Sequence, residues 1–282
     1  MPEDSRFVST EWLAAHLGAP NLVIVDASWH MPATGRSGHD EYLESHIPGA
    51  MFFDIDAISD PSSGLPHMLP TETLFTGAME ALGIGRTMKI VVYDTAGLFS
   101  APRVWWTLRA FGAVDVQILD GGFPKWLAEG RPTESGQAPR YPARFDAKLD
   151  RNWVASIDEV AKRLAEGSAQ VLDARAAERF RGEAPEPRAG VRPGHIPGAR
   201  NLPVSEVVKD GRLVDAATIR AAVAAAGIDP SRPVITSCGS GVTAAILWLA
   251  LDVIGAPPKA LYDGSWTEWG SSDKPVATGP AE

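Results

Sequence analysis

The chain has 282 residues, which at about 150 residues per domain sets a prior of two domains. With 45% hydrophobic and 22% charged residues it can bury a sizeable core, and wholesale disorder, collagen-like repeats and coiled coil are excluded on composition. Lys and Arg number 26 against 35 Asp and Glu, a formal net charge of −9 that argues against a nucleic-acid or anionic-membrane surface and leaves any anionic ligand to a local patch.

From the N-terminus, Met1 to Arg6 carries acids where a leader peptide carries basic residues, so the chain reads as cytoplasmic. Val23 to Val25 is a short β-rich run, followed by the turn His46-Ile47-Pro48-Gly49. Lys89 to Tyr93 is a second strand, Ala101 to Phe111 a helix, and Val116 to Leu119 a third strand. Ser156-Ile157-Asp158-Glu159 is a capping box that opens a helix running to about Glu166. Then come a strand at Gln170 to Leu172, the turn His195-Ile196-Pro197-Gly198, a strand at Val234 to Ser237 and a helix at Val242 to Ile254. The best apolar run, Ala244 to Leu251, is stopped by Asp252 well short of the roughly 18 residues a membrane span requires.

This series repeats itself. Asp26 recurs as Asp173, His46 as His195, Asp120 as Asp263, Trp126 as Trp269 and Pro132 as Pro275, at offsets of 147, 149, 143, 143 and 143 residues. The expected fold is therefore α/β, two tandem domains at 1–138 and 153–282 joined by a Pro/Gly/polar linker at 139–152, each a mostly parallel sheet flanked by helices. In such sheets ligands sit at the carboxyl ends of the strands.

One copy serves as a control for the other. After Ile90-Val91-Val92-Tyr93 the first continues with Asp94; after Val234-Ile235-Thr236-Ser237 the second continues Cys238-Gly239-Ser240-Gly241-Val242-Thr243. Cys238 is the single cysteine, so it has no disulfide partner and belongs to no zinc cluster. A glycine-rich loop between a strand and a helix surrounds its first residue with backbone N–H groups, which favour a thiolate and mark Cys238 as a nucleophile. A buried, inert cysteine is the alternative. Arg175, Arg179, Arg181, Arg188, Arg192 and Arg200 crowd the second copy where the first has only Arg36, which points to a small anionic substrate held by guanidinium groups. His46 and His195 occur in both copies, as do Asp120 and Asp263, and read first as turn residues, with a contribution of His46 to the site left open. Trp105, Trp106 and Trp248 read as core.

These residues together resemble the two-domain sulfurtransferases of the rhodanese superfamily, in the branch that uses 3-mercaptopyruvate. The resemblance rests on the two His-Ile-Pro-Gly turns, the Cys238–Thr243 loop and Asp263-Gly264-Ser265-Trp266, and it covers nearly the whole chain. It implies an inactive N-terminal domain, a Cys238 persulfide that rests against the loop amides of Gly239, Gly241, Val242 and Thr243, and donor binding by Arg179 and Arg188. It also implies a serine, histidine and aspartate assisting the cysteine: Ser240 matches the serine and His46 the histidine, and Ser37 stands where the aspartate aligns. The sulfur acceptor would be a thiol, a thioredoxin-like reductant or cyanide, with pyruvate released and no metal or organic cofactor required. Thiosulfate as donor is disfavoured because Gly239 and Ser240 occupy positions that are basic in the thiosulfate-using branch. A phosphatase would need a longer loop closing on an arginine, and a pure sulfur relay would have no need of an anion pocket.

Overall fold

The computed structural model describes residues 6–256 and 260–281. The start of the chain read above as lacking a leader pattern falls, apart from Arg6, outside them. The chain divides into two compact units: unit 1 holds residues through Pro61, Leu69–Asp150 and Asp210–Arg212, and unit 2 holds Ser62–Met68, Arg151–Lys209 and the residues from Leu213 onward.

Unit 1 runs β1 (Phe7–Val8), α1 (Thr10–Ala15), β2 (Leu22–Asp26), α2 (Gly38–Glu44), β3 (Met51–Phe52), α3 (Glu72–Leu82), β4 (Lys89–Tyr93), α4 (Ala101–Ala110), β5 (Asp115–Leu119) and α5 (Gly122–Ala128). Its sheet has the order β1-β5-β4-β2-β3, with every pair parallel. The central strand β4 buries Ile90, Val91, Val92 and Tyr93 in succession, as a parallel strand covered on both faces must. The helix α3 buries Phe75, Met79 and Leu82 on one face, opens on the Thr71 side-chain cap and ends at Gly83, whose φ of 72° few other residues adopt.

Unit 2 repeats the plan with β6 (Val154–Ala155), α6 (Ile157–Ala165), β7 (Gln170–Asp173), α7 (Ala177–Arg181), β8 (Arg200–Asn201), the hairpin strands β9 (Val208–Lys209) and β10 (Arg212–Leu213), α8 (Ala216–Ala225), β11 (Val234–Ser237), α9 (Ala244–Val253), β12 (Ala260–Tyr262) and α10 (Ser265–Ser271). The sheet order β6-β12-β11-β7-β8 matches that of unit 1 strand for strand, so both units share one α/β architecture, as the repeat predicts. The capping box of α6 forms as expected, with Glu159 N–H on the Ser156 hydroxyl and the Glu159 carboxylate on the Ser156 N–H. Helix α9 starts at Ala244, two residues later than the periodicity implies, because Gly241 (φ 81°), Val242 and Thr243 complete the preceding loop. Trp105, Trp106 and Trp248 are core.

Two departures from the expected layout matter for the site. The stretch 139–152 is bound along unit 1 as far as Asp150. Phe145 is fully buried edge-on against Phe75, and the N–H groups of Phe145, Ala147 and Leu149 donate to Glu80, Thr76 and Glu72 on one face of α3. In addition, each unit contains a short piece of chain from the other half of the sequence. The hairpin turn Asp210–Arg212 belongs to unit 1, where Arg212 pairs with Asp120 and a Cβ on Gly97 would lie 2.7 Å from the Gly211 Cα. Ser62–Met68 belongs to unit 2 and carries His67 into it.

Candidate active site

Cys238 follows the last residue of β11, at the carboxyl end of the central strand of unit 2, and is 2% exposed. The loop it begins is held from behind by the first turn of α10. Cys238 N–H donates to the Ser265 hydroxyl (3.2 Å), Trp266 N–H donates to the Cys238 carbonyl (2.9 Å), and the Gly239 carbonyl accepts from both the N–H (2.9 Å) and the hydroxyl (2.6 Å) of Thr267. Ser265 has a φ of 50°, unusual for a non-glycine residue, and its hydroxyl donates to the Tyr262 carbonyl. The Cys238 and Gly239 carbonyls are thus turned toward α10 and fix the start of the loop.

Unit 1 shows what such a loop holds. Its counterpart, Asp94–Ser100, is one residue longer and wraps the Asp94 carboxylate with the N–H groups of Ala96 (2.9 Å), Phe99 (2.7 Å), Ser100 (2.9 Å) and Ala101 (2.8 Å). An aspartate stands where the second copy has its thiol, and the surrounding amides satisfy its negative charge.

Arg179, on α7, lays its guanidinium on the Gly239 backbone: a Cβ on Gly239 would be 3.2 Å from Nη2. Gly239 does not need glycine for its backbone angles, so the requirement is space for this arginine. Its side chain is 23% exposed and is paired with Glu186 at 2.5 Å. Arg188 lies half-buried in the loop between α7 and β8.

Arg175, Arg192 and Arg181 are engaged within the protein, which corrects the reading of the whole cluster as one anion site. Arg175 is buried against Asp173 and Glu186, with its ring-facing side 4.5 Å from the Trp266 centroid. Arg192 donates to the carbonyls of Gly270, in the last turn of α10, and of Ser272 and Lys274 just past it, and Arg181 pairs with Glu183 on the surface.

Ser240 is 7% exposed, and the imidazole that meets it is that of His67. The His67 Nδ1 is 3.1 Å from the Ser240 hydroxyl and 3.2 Å from its carbonyl, and His67 is buried with a φ of 63°. With Nδ1 protonated the ring donates to Ser240; with Nδ1 bare it accepts the serine proton.

His46 is held differently. It is fully enclosed in unit 1, stacked 4.2 Å from Tyr42, with Nδ1–H on the Tyr42 carbonyl and backbone bonds to Glu134. His195 has the same surroundings in unit 2: a stack on Phe180 at 3.9 Å, Nδ1 on the Phe180 carbonyl, and backbone bonds to Ala277. Matching environments in both copies make these two histidines parts of the turn. Ser37 caps α2, its hydroxyl accepting the Asp40 N–H. Residue-by-residue matching pointed to His46, whereas the imidazole that meets Ser240 is that of His67. The signal available was that Pro66-His67-Met68 has no counterpart in the second copy, but His16, His30 and His39 share that property.

The rhodanese-like domain family matches residues 9–129 and 156–272, one match in each half. The chain is 44% identical over 272 residues to the 3-mercaptopyruvate sulfurtransferase of Escherichia coli K12, covering 96% of this chain and 97% of that one. It is 42% identical over 270 residues to the thiosulfate sulfurtransferase of Bos taurus, covering 93% and 91%. The crystal structure of SseA from Escherichia coli superposes with a TM-score of 0.86 at 43% identity, over 92% of this chain and 98% of that one. With this coverage, both domain matches and a cysteine loop at the carboxyl end of the second sheet, the chain belongs to the rhodanese family and is a two-domain sulfurtransferase.

Proposed function

We propose that the enzyme takes sulfur from 3-mercaptopyruvate, carries it as a Cys238 persulfide and passes it to a thiol, a thioredoxin-like reductant or cyanide. Near-equal identity to a mercaptopyruvate-named and a thiosulfate-named relative leaves the donor to the site itself. The observation that carries the reading is the neutral loop with a guanidinium against it: Gly239 and Ser240 follow the thiol, and Arg179 covers Gly239. A loop without basic residues of its own, faced by Arg179 and with Arg188 close in sequence, suits the carboxylate and keto oxygen of a keto acid better than a dianion.

In the first half-reaction the Cys238 thiolate attacks the sulfur of the donor. The new S–S bond forms as the C–S bond breaks, and the electron pair leaves as the enolate of pyruvate. Ser240, coupled to His67, takes up the donor's S–H proton and passes a proton to that enolate, so the persulfide is left as an anion against the loop amides. In the second half-reaction an acceptor thiolate or cyanide attacks the outer sulfur, forming a persulfide or thiocyanate and returning the Cys238 thiolate. The chemistry moves no metal-bound group. Mercaptopyruvate is the keto acid related to cysteine, so the reaction fits cysteine breakdown, and we place it in the cytoplasm. Among the described residues no helix is long and apolar enough to cross a membrane.

Initial rates at varied 3-mercaptopyruvate and cyanide test this reading. Parallel double-reciprocal lines, with pyruvate and thiocyanate formed in equal amounts, are expected. Thiosulfate supporting faster turnover than mercaptopyruvate would overturn the donor assignment.

A further inference from the structure

Asp173, Arg175, Glu186 and Arg179 form a file of alternating charge that ends on the cysteine loop. Arg175 is its fixed end: Nε and Nη2 donate to both oxygens of Asp173 (2.8–3.2 Å), Nη2 also reaches the Gly194 carbonyl (2.9 Å), and the guanidinium sits over Trp266. The remaining Nη1 donates to Glu186 Oε1 at 2.8 Å. Glu186 Oε2 then accepts from Arg179 Nη2 at 2.5 Å. Side-chain exposure is 1% for Arg175, 4% for Glu186 and 23% for Arg179, so Glu186 joins a buried guanidinium to a partly open one.

A long arginine side chain loses much rotamer freedom when held in a single arrangement, and α7 supplies only a short backbone from which to aim it. A carboxylate with one oxygen on an immobile partner removes that freedom before the donor arrives. We propose that Glu186 is a positioning residue for the donor site: it fixes the Arg179 guanidinium over Gly239 so that its outward N–H groups meet the donor carboxylate. This rests on the assignment of Arg179 to donor binding. The neighbouring Arg181–Glu183 pair has the same chemistry on the open surface, with Glu183 54% exposed, and has no such role.

The test is the steady-state kinetics of pyruvate release from 3-mercaptopyruvate in wild type, Glu186→Gln, Arg179→Met, the double variant and Glu183→Gln. Glu186→Gln is expected to raise KM about tenfold with kcat changed less than about twofold, the loss of one charged hydrogen bond. In the Arg179→Met background it is expected to add less than about twofold, because the group it positions is gone. Glu183→Gln is expected to match wild type. Should Glu186→Gln not fold, Glu186→Asp, whose shorter side chain reaches only one arginine, is expected to raise KM at an unchanged melting temperature. An unchanged KM, or effects of Glu186→Gln and Arg179→Met that multiply, would overturn the role of Glu186 alone. Wild type releasing no pyruvate would instead overturn the donor assignment beneath it, a result visible without any variant.

Discussion

Asp26 is a carboxyl sealed inside unit 1 without a cation. It is fully buried, Oδ1 accepts the Ser28 N–H at 2.9 Å, and Oδ2 has no hydrogen-bond partner. Burial pushes its pKa from 3.8 up to about 6, with the polar groups of Ser28 and Tyr93 opposing the effect and the nearby Asp94 carboxylate adding to it. The equivalent residue in unit 2 is Asp173, which has Arg175 beside it; Ser28 stands where that arginine would be. Because the folded state holds its proton up to about pH 6 and the unfolded chain releases it near 3.8, stability falls as pH rises between these values and remains lower above them. At 1.36 kcal/mol for each tenfold change, the penalty at pH 8 is about 3 kcal/mol.

Asp26→Asn is therefore expected to stabilise unit 1 by about 3 kcal/mol at pH 8, roughly 6–12 °C in melting temperature, and by only about 1 kcal/mol at pH 4.5. Asp173→Asn, at the equivalent position, is expected to do the reverse, since breaking a buried ion pair costs about 3–5 kcal/mol. Calorimetric melts of the two variants and wild type at pH 4.5, 6 and 8 make the comparison. A destabilised Asp26→Asn at pH 8, or a gain that does not grow with pH, would refute the reasoning.

Gly239→Val is expected to displace the Arg179 guanidinium, since even a Cβ would stand 3.2 Å from Nη2, and to raise the KM for mercaptopyruvate about tenfold or more; titration of initial rates checks this. His67→Gln is expected to lower kcat on mercaptopyruvate by about 10²-fold while sulfur release from a preformed persulfide to cyanide, followed in a single turnover, changes far less, because only the first half-reaction needs a proton delivered to the enolate.

The repeat made much of this architecture legible before any coordinates. Val23 to Val25, Lys89 to Tyr93, Gln170 to Leu172 and Val234 to Ser237 lie within or coincide with the observed strands, since a parallel strand buried on both faces leaves an unbroken apolar run. The internal comparison also isolated Cys238, because an aspartate in one copy and a thiol in the other mark a difference in chemistry on a shared scaffold.

What stayed hidden depends on long-range placement. His67 reaches Ser240 across 173 positions on a segment that neither repeat nor periodicity marks. The arginine cluster looked uniform in sequence, yet Arg175 is locked to Asp173 and Glu186 while Arg179 reaches the loop, a division set by burial that spacing does not encode. The stretch at 139–150 has no pattern because the N–H groups of Phe145, Ala147 and Leu149 are met by side chains of α3, and those of Lys148 and Asp150 by carbonyls at the end of α4, rather than by a strand.

The most direct test of the account is the intact mass of the reduced, purified protein after incubation with 3-mercaptopyruvate or, separately, with thiosulfate. One added sulfur from mercaptopyruvate in preference to thiosulfate, absent in Cys238→Ser, is the expected result. Loading that persists in Cys238→Ser, or no loading from mercaptopyruvate in the wild type, would contradict it.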